Sequence, residues 1–233
     1  MPVRNMQRLR LRLLDLLYPN RCDCCGVRIP YDALLCEGCI TALDALRVRN
    51  DAWEKTHRDA EIPWDGSAAA FAYKGIARRG VLAMKDGYRG FGRYAAKVLA
   101  DAVREMTDPA SLSCVTWVPV TRARRRTQGY AHAELLGKSL AEALGIPARG
   151  DLLTEHGGAL RQHDLPAEDR AVYARLRFQH TDADLSGQRV LLADDILTTG
   201  STLRKCTALL REMGAERVYA AVAAYRLRGE TEP

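Results

Sequence analysis

Val190-Leu-Leu-Ala-Asp-Asp-Ile-Leu-Thr-Thr-Gly-Ser-Thr-Leu203 runs four apolar residues into two adjacent carboxylates and then into a turn rich in hydroxyls. The apolar run Val190–Ala193 reads as a central parallel strand buried on both faces. Asp194 and Asp195 then lie at its carboxyl end, where open α/β sheets receive their ligands. Thr198, Thr199, Gly200, Ser201 and Thr202 occupy the strand-to-helix turn, where successive backbone N–H groups at a helix N-terminus form a cradle for an anion. Gly200 lets the backbone approach closely, and the hydroxyls add donors. Two carboxylates beside such a cradle repel a second phosphate unless a cation intervenes. They are suited to accept hydrogen bonds from vicinal hydroxyls, as an acidic residue does for a ribose in dinucleotide folds, and one of them is suited to hydrated Mg²⁺. The ligand so described is a ribose bearing a 5′-phosphate.

The flanking sequence supports the same sheet. Ala68–Tyr73, Val115–Val120 and Val218–Ala224 read as strands, Tyr130–Leu144 as a helix ending at Gly145, and Thr202–Met213 as a helix closed by Gly214. Strands alternating with helices imply an α/β fold, a mainly parallel sheet with helices on both faces. Upstream, Leu9, Leu13, Leu16 and Leu17 fall at helical spacing before Pro19, a short amphipathic helix suited to covering core or, with its flanking Arg residues, to lying on a membrane surface. We divide the chain into residues 1–50, a helix with a cysteine module; residues 51–66, a polar linker; and residues 67–233, the α/β domain. There is no internal repeat and no low-complexity tract.

Of the 233 residues 47% are hydrophobic and 27% charged, with a formal net charge of +6, an ordinary globular balance with a surplus that suits a phosphate-bearing partner. Arg supplies most of the positive charge, which high-GC coding alone would explain, although its planar fork also grips phosphate. No apolar run approaches a membrane span and the Arg-rich start lacks a signal-peptide core, so a soluble, cytoplasmic protein without stable membrane insertion is expected. Neither G-x-x-x-x-G-K-[ST] nor G-x-G-x-x-G occurs, which leaves nucleoside triphosphate hydrolysis and dinucleotide binding unsupported.

Seven cysteines, four of them in two C-x-x-C pairs, read as a metal site rather than a disulfide framework. Cys22 and Cys25, then Cys36 and Cys39 after ten residues, can complete a tetrahedral sulfur shell suited to zinc. Such a closed shell is structural. Gly26 and Gly38 ease the backbone around the ion. Cys24 leaves a second combination open, with Cys36, though spacing favours Cys22 with Cys25. Cys114 and Cys206 lie in apolar sequence and read as core.

Val118-Pro-Val-Thr121 ends a strand and leads into Arg122, Arg124, Arg125 and Arg126, a positive rim at the same sheet edge suited to pyrophosphate or to a nucleic-acid backbone, or simply solvated. No Ser/His/Asp or Cys/His arrangement presents itself, so no catalytic side chain is assigned, and His132 and His163 read as surface or packing residues.

The string from Val190 to Leu203 resembles the 5-phosphoribosyl-1-pyrophosphate (PRPP) signature of type I phosphoribosyltransferases. With the cysteine module, the P-V strand end, the Arg loop and the G-[FY]-x-x-A-E-L-L pattern at Gly129–Leu136, the chain resembles the ComF family, associated with DNA uptake in naturally competent bacteria. The similarity extends to Tyr73-Lys-Gly75, Met84-Lys-Asp-Gly87, Gln162, Leu165, Arg170 and Phe178. It implies a type I phosphoribosyltransferase-like domain behind a zinc module, with PRPP on Asp194, Asp195 and Thr198–Thr202, and Mg²⁺ accompanying PRPP. Lys85, Thr121 and the Arg loop would contact pyrophosphate or nucleic acid. Two departures, Gln128-Gly-Tyr-Ala-His132 for R-G-F-N-Q and Tyr173 for Asn, fall on the second-substrate side. The expected function is PRPP binding in DNA uptake, with single-stranded DNA and uptake proteins as partners and possible transfer of ribose 5-phosphate. A sensor module or a conventional phosphoribosyltransferase of nucleotide metabolism are the alternatives.

Overall fold

The computed structural model describes residues 19–48, 62–120, 131–155 and 178–226. Its centre is a four-stranded, wholly parallel sheet in the order β1-β6-β5-β2, formed by Gly66–Ala72 (β1), Arg217–Tyr225 (β6), Arg189–Leu197 (β5) and Cys114–Trp117 (β2). A short antiparallel pair, Leu153–Glu155 (β3) with Phe178–His180 (β4), lies apart from it. In chain order the helices are α1, Glu37–Asp44; α2, Gly75–Lys85; α3, Gly90–Met106; α4, His132–Leu144; and α5, Ser201–Glu212.

Alternation along β5 divides the core in two. Leu191 and Ala193 share one cluster with buried residues of α2, α3 and α4, while Val190 and Leu192 share the other with Leu203, Cys206 and Leu210 of α5. Burial on both faces explains the unbroken apolar run. The alanines of β1 and β6 keep the sheet surface low, which suits close packing of helices. Both sheet edges are closed by short segments. Beside β1, the Val48 N–H donates to Ala70 O at 3.1 Å and the Ala72 N–H to Leu46 O at 2.8 Å; beside β2, the Arg149 N–H donates to Val115 O at 2.8 Å. Among the described residues these contacts cover part of each edge of the main sheet.

The cysteine module shares the first core cluster, through Cys22, Cys24, Ile29, Leu35, Cys39 and Leu43. A polar contact fixes its seat. Asp23 Oδ2 accepts the Phe91 N–H at 2.8 Å, capping α3, whose own N-cap residue, Arg89, makes no side-chain cap. Gly90 is required there, because a Cβ would come within 2.4 Å of Leu34 O.

The structure lengthens β5 relative to the sequence reading. The strand runs past Ala193 to Leu197, with Asp194 opposite Val222 and Ile196 opposite Ala224 of β6. Pairing with an equally long neighbour overrides local preference, since Asp is a poor strand former. The carboxylates are therefore built into the sheet and buried. The predicted helix before Pro19 lies outside the described residues.

Gly90→Ala is expected to destabilise the protein by roughly 1–3 kcal/mol in equilibrium urea unfolding. Gly38→Ala, in α1 with nothing within 4 Å of the added methyl, should be close to neutral.

Candidate functional site

At the carboxyl edge of the sheet, β5 presents Asp194 and Asp195, 9% and 8% exposed. Each carboxylate closes a hydrogen bond with the next amide. Asp194 Oδ1 accepts the Asp195 N–H and Asp195 Oδ1 accepts the Ile196 N–H, both at 2.8 Å. The remaining oxygens meet different surroundings. Asp195 Oδ2 lies 3.1 Å from Lys85 Nζ at the end of α2 and 3.5 Å from His132 Nε2 at the start of α4. Among the described residues Asp194 forms no ion pair.

These surroundings separate the two acids. Burial, then the charge of Asp195, pushes the Asp194 carboxyl well above the usual carboxylate range. Burial also opposes ionisation of Asp195, but Lys85 and then His132 outweigh it and hold that carboxyl below its ordinary value. Two carboxyls side by side thus favour one charged and one neutral member.

Immediately beyond, Gly200 takes φ +75° and starts α5, a twelve-residue helix without a side-chain cap. Thr198, Thr199 and Ser201 are exposed and Thr202 is half-buried, so hydroxyls ring the helix N-terminus, where the Ser201 N–H donates to Thr199 Oγ1 at 3.4 Å. Gly200 itself is buried, and a Cβ there would meet Leu197 and the Trp64 ring at 3.2 Å. Trp64 thus buttresses the turn from below. Its role was not legible from sequence, because it sits 136 positions upstream of Gly200 in a polar stretch.

Lys85 is brought against the acid pair. Thr121, Arg122, Arg124, Arg125 and Arg126 lie outside the described residues, as do Gln128 to Tyr130. His132 is buried, as a packing residue would be, yet its ring faces Asp195. The usable signal was its position as the first helical residue after a strand-end loop, a place that lies at the carboxyl edge of a parallel sheet.

In the cysteine module the Sγ atoms of Cys22, Cys25, Cys36 and Cys39 all lie within 4.8 Å of one another. Arms of about 2.3 Å in a tetrahedron give edges of about 3.8 Å, so the cluster fits a zinc ion after slight contraction. Cys25 and Cys36 are already 3.6 Å apart. Burial opposes a thiolate at Cys22, but amides of Cys36, Cys24 and Cys25 bring it down to about 7. Cys24 stands outside the cluster, buried, its thiol pushed up to about 12 by burial and by neighbouring Cys22 and Asp23. Gly26 adopts φ +76°, as the knuckle needs. Gly38 lies instead in the first turn of α1.

Parallel sheet, buried acids and hydroxyl turn together define a type I phosphoribosyltransferase-like fold, and residues 133–233 match the family model of the phosphoribosyl transferase domain. Competence protein F of Haemophilus influenzae is 31% identical over 131 residues, 54% of this chain and 57% of that protein. A four-cysteine cluster lies ahead of the matched region, and the likeness to competence protein F agrees with the ComF resemblance of the sequence motifs. An adenine phosphoribosyltransferase of Nocardia farcinica is 39% identical over 94 residues, 40% of this chain and 48% of that enzyme. The chain thus spans about half the length of these curated relatives. Among solved structures, a purine phosphoribosyltransferase from Pyrococcus horikoshii aligns with a TM-score of 0.40 at 19% identity, covering 61% of this chain and 79% of that one. No helix among the described residues is long and apolar enough to cross a membrane.

The acid pair yields opposite stability effects. The raised Asp194 carboxyl binds a proton in the folded state that the unfolded chain releases, so its contribution declines as pH rises from the unfolded value through the folded one. Asp194→Asn is expected to raise the melting temperature of ligand-free protein at pH 7. Asp195→Asn, which removes the negative charge facing Lys85 and His132, is expected to lower it. Thermal unfolding monitored by circular dichroism checks both signs.

Proposed function

We propose that the carboxyl edge of β5 binds PRPP, and that the protein is a ComF-like phosphoribosyltransferase-type protein acting in DNA uptake. The observation that carries this reading is the hydroxyl-ringed N-terminus of α5, whose N-cap residue Gly200 makes no side-chain cap, directly after two buried carboxylates. An anion satisfies the helix N–H groups and its dipole, while hydroxyls of a ribose satisfy acids that have no other reason to be buried.

In this arrangement the backbone of Thr199–Thr202 and the hydroxyls of Thr198, Thr199, Ser201 and Thr202 hold the 5′-phosphate. Asp194 and Asp195 orient the ribose through its hydroxyls. Asp194, with no ion-pair partner among the described residues, would be the carboxylate to hold hydrated Mg²⁺, which would supply neutralising charge for the pyrophosphate. Arg122, Arg124, Arg125 and Arg126 supply positive charge, and Thr121 a hydroxyl, for pyrophosphate or for single-stranded DNA. Orientation and electrostatics carry the chemistry, since a departing pyrophosphate and a developing positive charge on the ribose need no side-chain nucleophile. The four cysteines hold structural zinc, whose loss frees the segment bearing Asp23.

A second reading, a conventional cytoplasmic phosphoribosyltransferase of nucleotide metabolism, draws on the likeness to an adenine phosphoribosyltransferase. The two separate by acceptor. The protein is incubated with PRPP and Mg²⁺, with and without free nucleobases or single-stranded DNA, and pyrophosphate is followed. Release only with a nucleobase favours nucleotide metabolism. Saturable PRPP binding together with DNA binding that weakens steeply with salt, and less steeply in Arg124→Ala/Arg125→Ala/Arg126→Ala, favours the uptake role.

The paired variant Asp194→Asn/Asp195→Asn should weaken PRPP binding by about tenfold or more in calorimetry; unchanged affinity refutes the ribose contacts. Metal analysis should find about one zinc per chain, and chelation should lower the melting temperature.

A further inference from the structure

The cysteine module and the acid pair are joined by a run of contacts that starts at Asp23. This residue lies between Cys22 and Cys25, two of the four clustered cysteines, and its Oδ2 accepts the Phe91 N–H at 2.8 Å. The first turn of α3 is thus capped from inside the knuckle, where the helix itself offers that amide no acceptor. The Phe91 ring is fully buried and lies so close to α2 that a Cβ at Gly80 would come within 2.2 Å of it. One residue on, a Cβ at Gly92 would meet Met84 Sδ at 2.8 Å, so the first turn of α3 also rests on the last turn of α2. Met84 precedes Lys85, which ends α2 and places its Nζ 3.1 Å from Asp195 Oδ2. Glycines at both helix contacts bring the two helices close, and close-packed interiors transmit strain.

We infer that Asp23 is a positioning residue for the ligand site: by capping α3 from the knuckle it sets the end of α2, and with it the Lys85 ammonium, against Asp195, so that ligand affinity at the acid pair depends on zinc at the four cysteines. The inference rests on the PRPP reading above. A buried carboxylate ionises at low cost only beside its cation, so a shift of α2 acts on the acid pair. The route has one replaceable joint. Arg89, the N-cap residue of α3, makes no side-chain cap, and removing the Asp23 carboxylate leaves the Phe91 amide without its acceptor. The cysteine module is then a support whose metal content sets how well the distant sheet edge holds its ligand.

The test is calorimetric titration of the full chain with PRPP and Mg²⁺, with zinc content measured on each sample, for the parent, Asp23→Ala, Asp23→Asn and Asp108→Ala. Asp108 is the control: its Oδ1 caps the Ala110 N–H at 3.0 Å in the short turn beyond the other end of α3. Asp23→Ala, zinc-loaded, should bind PRPP about fivefold or more weakly than the parent. Asp23→Asn, which keeps an oxygen for the Phe91 amide, should restore most of that affinity, and Asp108→Ala should bind as the parent does. In a second arm the parent is stripped of zinc, freed of chelator and titrated before and after zinc is returned; affinity should fall on stripping and recover on reloading. Parent-like affinity in Asp23→Ala or in stripped protein, equal losses in Asp23→Ala and Asp108→Ala, or no rescue by Asp23→Asn overturns the proposal while PRPP binding stands. If the zinc-loaded parent does not bind PRPP, the PRPP reading itself fails and takes the inference with it.

Discussion

Burying two adjacent carboxylates in the last part of a central strand is the constraint around which this molecule is organised. A lone buried carboxylate is strongly disfavoured unless paired and hydrogen-bonded. The fold responds by drawing three distant pieces of chain to one point: the end of α2 with Lys85, the start of α4 with His132, and the amides of β5 itself. The outcome is asymmetric, burial and the neighbouring charge raising the Asp194 carboxyl while Lys85 and His132 lower that of Asp195. A packing requirement alone would be met better by two apolar residues, so the pair signals a ligand. Stability given up at a site is a common companion of function.

The same economy appears at the cysteine module. Asp23, between two cysteines of the knuckle, caps the helix that follows the turn after Lys85. The module is therefore packed into the domain's own core and seated by a specific polar contact. Its cysteine geometry, the N-terminus of α3 and the end of α2 are consecutive links in one chain of contacts.

Much of this was legible because it is local. The run Val190–Ala193, the acid pair and the hydroxyl turn are contiguous, so burial, helix start and anion cradle could be argued from spacing. Two C-x-x-C pairs likewise announce a shared ion. What escaped was set by distance along the chain. Lys85 was named for the site, but its pairing with Asp195, and that of His132, spans 110 and 63 positions and was not legible. Trp64 lay in a polar stretch and reads as incidental until the fold sets it under Gly200. Spacing favoured Cys22 over Cys24 as the partner of Cys25, and the cluster in the structure is Cys22, Cys25, Cys36 and Cys39. The length of β5 was missed because Asp-Asp argues against a strand locally, whereas pairing with β6 imposes one. The two-residue-wide edge closures beside β1 and β2 carry too little pattern to be read at all.

The central claim is that this sheet edge receives a sugar carrying a terminal phosphate. Its most direct measurement is a crystal structure of the full chain grown with PRPP and Mg²⁺. The account predicts the 5′-phosphate over the amides of Thr199–Thr202 and ribose hydroxyls within hydrogen-bonding distance of Asp194 and Asp195. A phosphate held elsewhere, with the acid pair still closed on Lys85 and His132 and shut off from the ligand, would contradict it.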